Sequence, residues 1–278
     1  MLGPGWRVEA SLAAPLPNMS FPATLLAQLV RAERNPAAEV PSAAVAQALA
    51  RFWGDAGRAA HAALSAQAEL AAHLLRLDAP APLLHGVARS LLDETALSAA
   101  CLDLARRYGA PECSLPIASR REGGLDPQRL TAGRDELVLG TLRRGCIAAT
   151  VESSWAREAL EHCQEPAARE VLLQLQHGRA RTAQLSWRFL GWALRGAFCA
   201  VTPQSGGNEL ADQVRVAVLT ALGTRAAPAP LSQAERQLLR HGVLGSAQRL
   251  AIEQRVLREV VLPCMENALA RARASGAV

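Results

Sequence analysis

Four long stretches of helix-forming residues, each ended by Pro or Gly, constrain the fold of this chain more than any other feature. They run over about Ser42–Leu77, Ala81–Tyr108, Asp135–Cys163 and Pro166–Ala200. Pro cannot continue a helix, and Gly is favoured just beyond a helix end. Ala and Leu dominate these stretches and aromatic residues make up only 4% of the chain, a balance that favours helices over strands. The sequence therefore predicts an all-α protein.

The connections between these stretches predict how the helices are arranged. The first two are separated by a short Pro-containing loop, and so are the last two, which makes each pair antiparallel neighbours. Residues 109–131 contain Gly, Pro and charged residues without periodicity and predict a long crossover. We therefore expect an irregular arm at 1–41, a four-helix bundle with one crossover at 42–201, and a helical extension at 202–278 packed on the bundle.

The extension is predicted to contain shorter helices at about 209–222, 231–241 and 245–273, after a turn in the TPQSGGN segment.

Charge and cysteine usage exclude several classes of protein. The net charge is +5 and every basic residue is Arg, but the Arg doublets are short and scattered, and no nucleic-acid-binding motif accompanies them. The six cysteines form no CxxC pair, which is typical of reduced thiols. The first residues lack the pattern of a signal peptide, and no apolar run is long enough to span a bilayer. We expect a soluble cytoplasmic protein with no membrane or nucleic-acid partner.

Five segments of the sequence have the character of helices from one known family. They are HAALSAQAELAAHLLRLDAP (61–80), LLDETALSAACLDLARRYG (91–109), GCIAATVESSWAREA (145–159), LQHGRARTAQLSWRFLGWALR (175–195) and VLREVVLPCMENALA (256–270). The fourth resembles the DExRHAELAW-type motif of the bacterial ferritin-like domain proteins, and the others resemble that family's first, second, third and C-terminal helices. The resemblance implies a ferritin-like four-helix bundle of the di-iron carboxylate superfamily.

A site of that family needs one Glu from each of two helices and a Glu-x-x-His from each of the other two. The spacing of three residues places carboxylate and imidazole on one face of a helix. The resemblance assigns the six ligand positions to Ala60, Glu94, Leu97, Ala149, Arg179 and Thr182. Only Glu94 keeps a ligand, and Arg179 brings a permanent positive charge that repels metal cations. The resemblance therefore implies a degenerate site with no metal and no other cofactor.

The residues that remain suggest a replacement for the metal. Arg179 and Glu94 are predicted to form a buried ion pair, because a guanidinium binds a carboxylate in two-pronged fashion. The alternative is that Arg179 reaches solvent while Glu94 is protonated or hydrated. His61, one residue beyond a ligand position, points about 100° away around the helix and is a poor ligand for a lone metal. Cys101 and Cys146 near the former site are typical of small buried hydrophobes rather than functional thiols.

Two functions stay open. The first is a non-catalytic pseudoenzyme that acts as a scaffold or binding protein, with a paralogue or a second copy of the chain as partner. The second is an oxidoreductase with a rebuilt or non-standard site in the bundle core, or a metal-free catalyst that uses Glu94. No Ser-His-Asp order, phosphate-binding loop or dinucleotide fingerprint accompanies the helices. The loss of five of the six ligand positions favours the first.

Overall fold

The computed structural model describes residues 41–111, 134–197, 207–221 and 231–274, and no strand occurs among them. The predicted all-α class is therefore confirmed for the described chain. Most of the predicted arm at 1–41, of the predicted crossover and of the TPQSGGN turn lies outside the described residues, while the last two turn residues, Gly207 and Asn208, are helical. None of the described helices combines the length and the apolar character needed to cross a membrane.

The first helical hairpin consists of α1 (Ala43–Arg76) and α2 (Ala81–Arg107). The hydroxyl of Ser42 accepts a hydrogen bond from the Val45 amide at 3.4 Å and satisfies one donor in the first turn of α1. Both helices end with a residue in the left-handed region, Asp78 (φ 49°) after α1 and Gly109 (φ 89°) after α2. The amides at and after these residues bond back to carbonyls of the last turn, so the predicted ends at DAPAP and Gly109 have a clear capping geometry.

The second hairpin is less regular than its sequence predicts. The stretch expected as one helix contains α3 (Arg134–Thr141), a π-helical segment (Leu142–Ala148) and α4 (Ala149–His162). After a break at residues 163–165, α5 (Pro166–Trp192) begins with Pro at its first position and continues as a second π-helical segment (Ala193–Ala197).

Close contact between the first π-helical segment (Leu142–Ala148) and α5 depends on a glycine. A Cβ added at Gly145 would lie only 1.9 Å from the Ser186 hydroxyl and 2.5 Å from its Cβ. The absence of a side chain at Gly145 therefore lets the two helices approach here.

The C-terminal part comprises α6 (Gly207–Ala221), α7 (Gln233–Arg240), α8 (Ser246–Val256), a π-helical segment (Leu257–Val261) and α9 (Leu262–Ala274). The last three were expected as one helix over 245–273. Pro263 explains the irregular segment before α9, because its ring conflicts with the carbonyl of the residue four positions earlier and it has no amide to donate.

Packing brings these described helices into one compact unit. In the main contacts α1 packs against α2, α4 against α5, and α2 against α5, while α8 packs on α4 and α9 on α5. The largest fully buried side chains include Trp53, Leu49 and Leu74 of α1 and Phe189 and Leu190 of α5. Apolar burial of this kind is worth roughly 1.5–3 kcal/mol for each large side chain, which makes it the main support of the fold.

Hydrogen bonds attach the C-terminal part to both hairpins. The Arg240 carbonyl accepts from the Gln164 amide at 2.7 Å and from the Glu165 amide at 3.3 Å, at the turn between α4 and α5. The Trp155 indole donates to the Arg249 carbonyl at 3.0 Å, and the Tyr108 hydroxyl lies 3.0 Å from His241 Nδ1. These contacts hold residues 240–249 against the hairpins, and some of these residues line the cavity described below.

Candidate functional site

The six positions that the resemblance assigns to a lost metal site lie in the interior of the helices. Those with little or no exposure are Ala60, Glu94, Leu97, Ala149 and Thr182, and the Arg179 side chain is 13% exposed. The two alanines carry only a methyl group and Leu97 only an apolar chain, so three of the six positions offer no ligand atom.

The two residues expected to pair are in contact. Arg179 extends from α5 toward α2, and its Nη1 donates a hydrogen bond to Glu94 Oε1. The Glu94 side chain is 3% exposed, so this contact is removed from water. The alternative in which Arg179 reaches solvent and leaves Glu94 alone does not describe this arrangement. The second carboxylate oxygen of Glu94 is buried without a hydrogen-bond partner among the described residues.

A third residue joins this pair that the sequence reasoning missed. Glu152 Oε2 lies 2.6 Å from Arg179 Nε. The Nε hydrogen is not directed at that oxygen, so the contact is electrostatic rather than a regular hydrogen bond. Glu152 stands one helical turn after Ala149, and residues three apart share a helix face. An acidic side chain three residues after Ala149 was the sequence feature that could have predicted this contact. We call Glu94, Glu152 and Arg179 the ion cluster.

The electrostatics of the ion cluster are dominated by burial. Burial raises the pKa of Glu94 above its usual range, the Arg179 guanidinium partly offsets that rise, and the negative charges of Glu152 and Asp93 add to it. One guanidinium therefore balances two carboxylates of which one is fully enclosed and the other, Glu152, has a side chain 36% exposed to water. The partly exposed Glu152 carboxylate keeps part of its hydration and stays ionised. If Glu94 takes up a proton, the charges of Glu152 and Arg179 still cancel.

Small hydroxyl side chains continue the polar strip between α2 and α5. The hydroxyls of Ser90 and Thr182 lie 3.0 Å apart, and Ser186 donates to the Thr182 carbonyl at 2.9 Å. These hydroxyls are buried and satisfied by each other or by the backbone. Thr182 therefore serves as a hydrogen-bonded packing residue.

An apolar cavity of about 160 Å³ lies beside the ion cluster, between α1, α2, α4, α5 and residues 242–249. Its apolar wall includes Phe52, Leu97, Trp155, Leu172 and Leu175. Its polar groups are the side chains of Glu152, Arg179 and Arg249. A cavity of this size suits a molecule about as large as benzene.

A larger polar cleft of about 910 Å³ lies between α1, α3, the π-helical segment Leu142–Ala148 and α5. Its charged and polar lining comprises Gln67, Glu69, His73, Glu136, Thr141, Arg143, Arg144, Arg179, Thr182, Ser186 and Gln213. Arg179 lines both the cleft and the apolar cavity.

The other candidate residues are His61, Cys101 and Cys146, and none of them belongs to the ion cluster. His61 is partly exposed on α1. The Cys101 and Cys146 side chains are buried, and burial raises the pKa of Cys101 to about 12 and that of Cys146 well above its usual range, so both remain protonated thiols at neutral pH.

One further group contains metal-binding side-chain types. In the described ranges the only three such residues with ligand atoms close together, within 4.8 Å, are Glu158, Glu161 and His162. They lie at the largely exposed end of α4, and Glu158 is already paired with Arg255 at 3.1 Å. This group has none of the bundle-core geometry of the family site.

Comparison with known proteins identifies no relative. No protein-family model matches the chain, no curated protein matches it, and no solved structure matches it.

Proposed function

We propose that this chain is a ferritin-like helical bundle that has lost its di-metal site and acts as a non-catalytic binding protein. The observation that carries the proposal is the ion cluster, in which the Arg179 guanidinium contacts Glu94 and lies 2.6 Å from Glu152. A guanidinium is a permanent cation, so it supplies between two helices the positive charge that a bound metal supplies in the related enzymes.

The chemistry of the ion cluster supports loss rather than rebuilding of the metal site. A bundle di-metal centre uses four carboxylates to neutralise two cations and two imidazoles to complete their coordination. Here two carboxylates are present, both already engaged by Arg179, and Leu97 and Thr182 stand where the imidazoles would be. A metal ion entering this cluster would meet a guanidinium at short range in a medium of low dielectric constant.

Two features support the binding role. The helical hairpins α1–α2 and α4–α5 pack against each other through α2 and α5, as the bundle architecture requires. An open apolar cavity remains beside the ion cluster. The proposal includes a protein partner, either a paralogue or a second copy of the chain, that interacts with the ligand-bound protein.

Metal analysis of the purified protein tests the proposal. Protein expressed in medium supplemented with iron and manganese is expected to contain far less than one equivalent of metal, and a chelator is expected to leave its melting temperature unchanged. About two metal ions per chain, with the absorbance of oxo-bridged iron, would overturn the proposal and favour an oxidoreductase with a rebuilt site.

A restored variant provides the positive control. It carries Ala60→Glu, Leu97→His, Ala149→Glu, Arg179→Glu and Thr182→His, which return the six positions to the family ligand set. If the positions are correctly assigned, this variant gains metal while the wild type stays free of it. A folded restored variant that binds no metal would argue against the ferritin-like assignment, whatever the wild type contains.

A further inference from the structure

The Arg249 side chain brings a second positive charge, besides that of Arg179, to the lining of the apolar cavity. Its guanidinium carbon lies 4.7 Å from the centre of the Phe52 ring and 5.8 Å from the centre of the Trp155 ring. Trp155 also donates to the Arg249 carbonyl at 3.0 Å, which holds this turn of α8 on α4. The side chain is therefore held in place by two aromatic rings and one backbone contact.

No carboxylate balances this charge in the described part of the chain. The ion pairs found there use other arginines, and the acidic residue that lines the cavity, Glu152, is engaged with Arg179. Burial alone shifts the pKa of Arg249, lowering it from the usual value, while the guanidinium remains protonated at neutral pH. Contacts with aromatic faces compensate only part of the lost hydration of a cation.

Arg249 and Arg179 differ in their contacts with carboxylates. Both guanidinium groups line the same cavity, but Arg179 has two carboxylates in contact and Arg249 has none among the described residues. The wall between them is apolar, formed by side chains such as Leu97, Leu172 and Leu175. A bound molecule with a negative end and an apolar body would satisfy Arg249 and fill the space beside it.

We propose that the apolar cavity binds a small organic carboxylate, with its charged end on Arg249 and its apolar body against Leu97, Leu172 and Leu175. The volume of about 160 Å³ limits that body to about six carbon atoms, the size of one aromatic ring. This inference rests on the proposed function, because it names the class of ligand that a metal-free binding protein would take.

Titration of the full-length protein with three ring compounds of one size tests the charge preference. Benzoate, benzyl alcohol and benzylamine are negative, neutral and positive, and their binding is measured by calorimetry or by saturation-transfer NMR. Benzoate is expected to bind at least about tenfold more tightly than benzyl alcohol, since a charge-assisted hydrogen bond is stronger than a neutral one. Benzylamine is expected to bind most weakly.

Two variants assign the effect to Arg249. Arg249→Met keeps the apolar stem between the rings and is expected to reduce benzoate affinity to that of benzyl alcohol. Arg255→Met removes an equal charge from the same helix, where Arg255 is half exposed and paired with Glu158, and is expected to leave benzoate affinity unchanged. Ala56→Leu places extra methyl groups in the cavity wall and is expected to abolish binding of both benzoate and benzyl alcohol.

Several results would overturn the inference. They are equal binding of benzoate and benzyl alcohol, binding of none of the three compounds, and retention of benzoate affinity in Arg249→Met. Tightest binding of benzylamine would do so as well and would assign recognition to Glu152. Metal content measured on the same samples separates this inference from the proposed function. Metal-free protein that does not bind benzoate overturns only the inference about the ligand. Stoichiometric metal overturns the proposed function, whether or not benzoate binds.

Discussion

At the residue scale, the ion cluster concentrates three charges at the contact of α2, α4 and α5. Arg179 contacts the enclosed carboxylate of Glu94 and lies 2.6 Å from the partly hydrated carboxylate of Glu152. Bringing such groups out of water is costly, and their mutual attraction compensates only when each remains paired. Removing one member therefore has a larger effect than removing a pair, which gives the cluster a clear mutational signature.

Arg179→Leu is expected to destabilise the protein by about 3–5 kcal/mol at neutral pH, because it leaves the buried Glu94 without a counter-charge. Glu94→Leu combined with Arg179→Leu should recover much of that loss, since Glu152 keeps contact with water. Urea denaturation of both variants measures the free energy of unfolding. Arg181→Leu is the matched control: this arginine stands on the same helix, is 43% exposed and pairs with Asp93 at 2.7 Å, so its removal should cost less than about 1 kcal/mol. Equal stability of Arg179→Leu and the wild type would contradict the account.

Glu94 also predicts a dependence of stability on pH. Its pKa is raised in the folded protein, mainly by burial, so above the usual value of 4.5 the folded state holds a proton longer than the unfolded state. The contribution of Glu94 to stability is therefore fully present below pH 4.5 and is lost as pH rises through its folded pKa. We expect the stability of the wild type relative to Glu94→Gln to decrease from pH 4.5 upward. A difference that stays constant or grows with pH would show that Arg179, not burial, controls this carboxyl.

At the element scale, the π-helical segment Leu142–Ala148 is the main departure from regular helix in the second hairpin. It begins at a buried Leu142 and contains Gly145, against which Ser186 of α5 packs. π-Helical turns are uncommon and tend to occur where a helix must accommodate a local constraint. The close approach of Ser186 to Gly145 is that constraint here, because no side chain fits between the two backbones.

Gly145→Ala is expected to destabilise the protein by about 1–3 kcal/mol, because the new Cβ would lie 1.9 Å from the Ser186 hydroxyl. Gly54→Ala is the control, since its nearest neighbours are at 3.5 Å or more and the substitution removes a flexible residue from the interior of α1. We expect Gly54→Ala to stabilise by about 0.5–1 kcal/mol. Thermal melts decide between the two signs, and adding Ser186→Gly to Gly145→Ala should restore stability if the steric explanation is correct.

At the scale of the whole molecule, the C-terminal part is attached to the hairpins through a few polar contacts and a continuous apolar interface. His241 is buried at the end of α7 beside Tyr108 of the first hairpin, with 3.0 Å between Nδ1 and the hydroxyl. Gly242 follows with φ 81°, and its amide and that of Val243 close the end of α7. This joint also forms part of the wall of the apolar cavity, through Gly242 and Leu244.

Acidification is expected to loosen this attachment. Burial lowers the pKa of His241 below its usual 6.5, Arg240 adds to the lowering and Glu165 opposes it. Below pH 6.5 the unfolded state binds the proton first, so stability decreases as pH falls through the folded pKa. His241→Asn should remove this component: its stability should change less between pH 7.5 and 5.5 than that of the wild type. His85→Asn, at an exposed histidine of α2, is the control and should behave like the wild type.

The helices themselves were accessible from the sequence. The predicted first and second helices differ from α1 and α2 by at most one residue at any end, because Ser42, Asp78 and Gly109 carry local capping signals. Residues 149–162 and 166–192 were likewise expected to be helical. The π-helical segments were not, because a π-turn depends on what another helix presents, as Ser186 does at Gly145, and that partner is remote in sequence.

By itself, the sequence determined the all-α class and the ends of the main helices, since both follow from short-range periodicity and capping. The pairing of Glu94 with Arg179 was expected only because the family resemblance assigns both residues to one site. Only the tertiary structure decided that Glu152 joins Arg179, that Arg249 enters the cavity wall between Phe52 and Trp155, and that a cavity of about 160 Å³ remains there. The physical reason is that helix periodicity fixes which residues share a face. The facing partner and the space left between them depend on how helices cross and on side-chain volumes contributed by segments far apart in the chain.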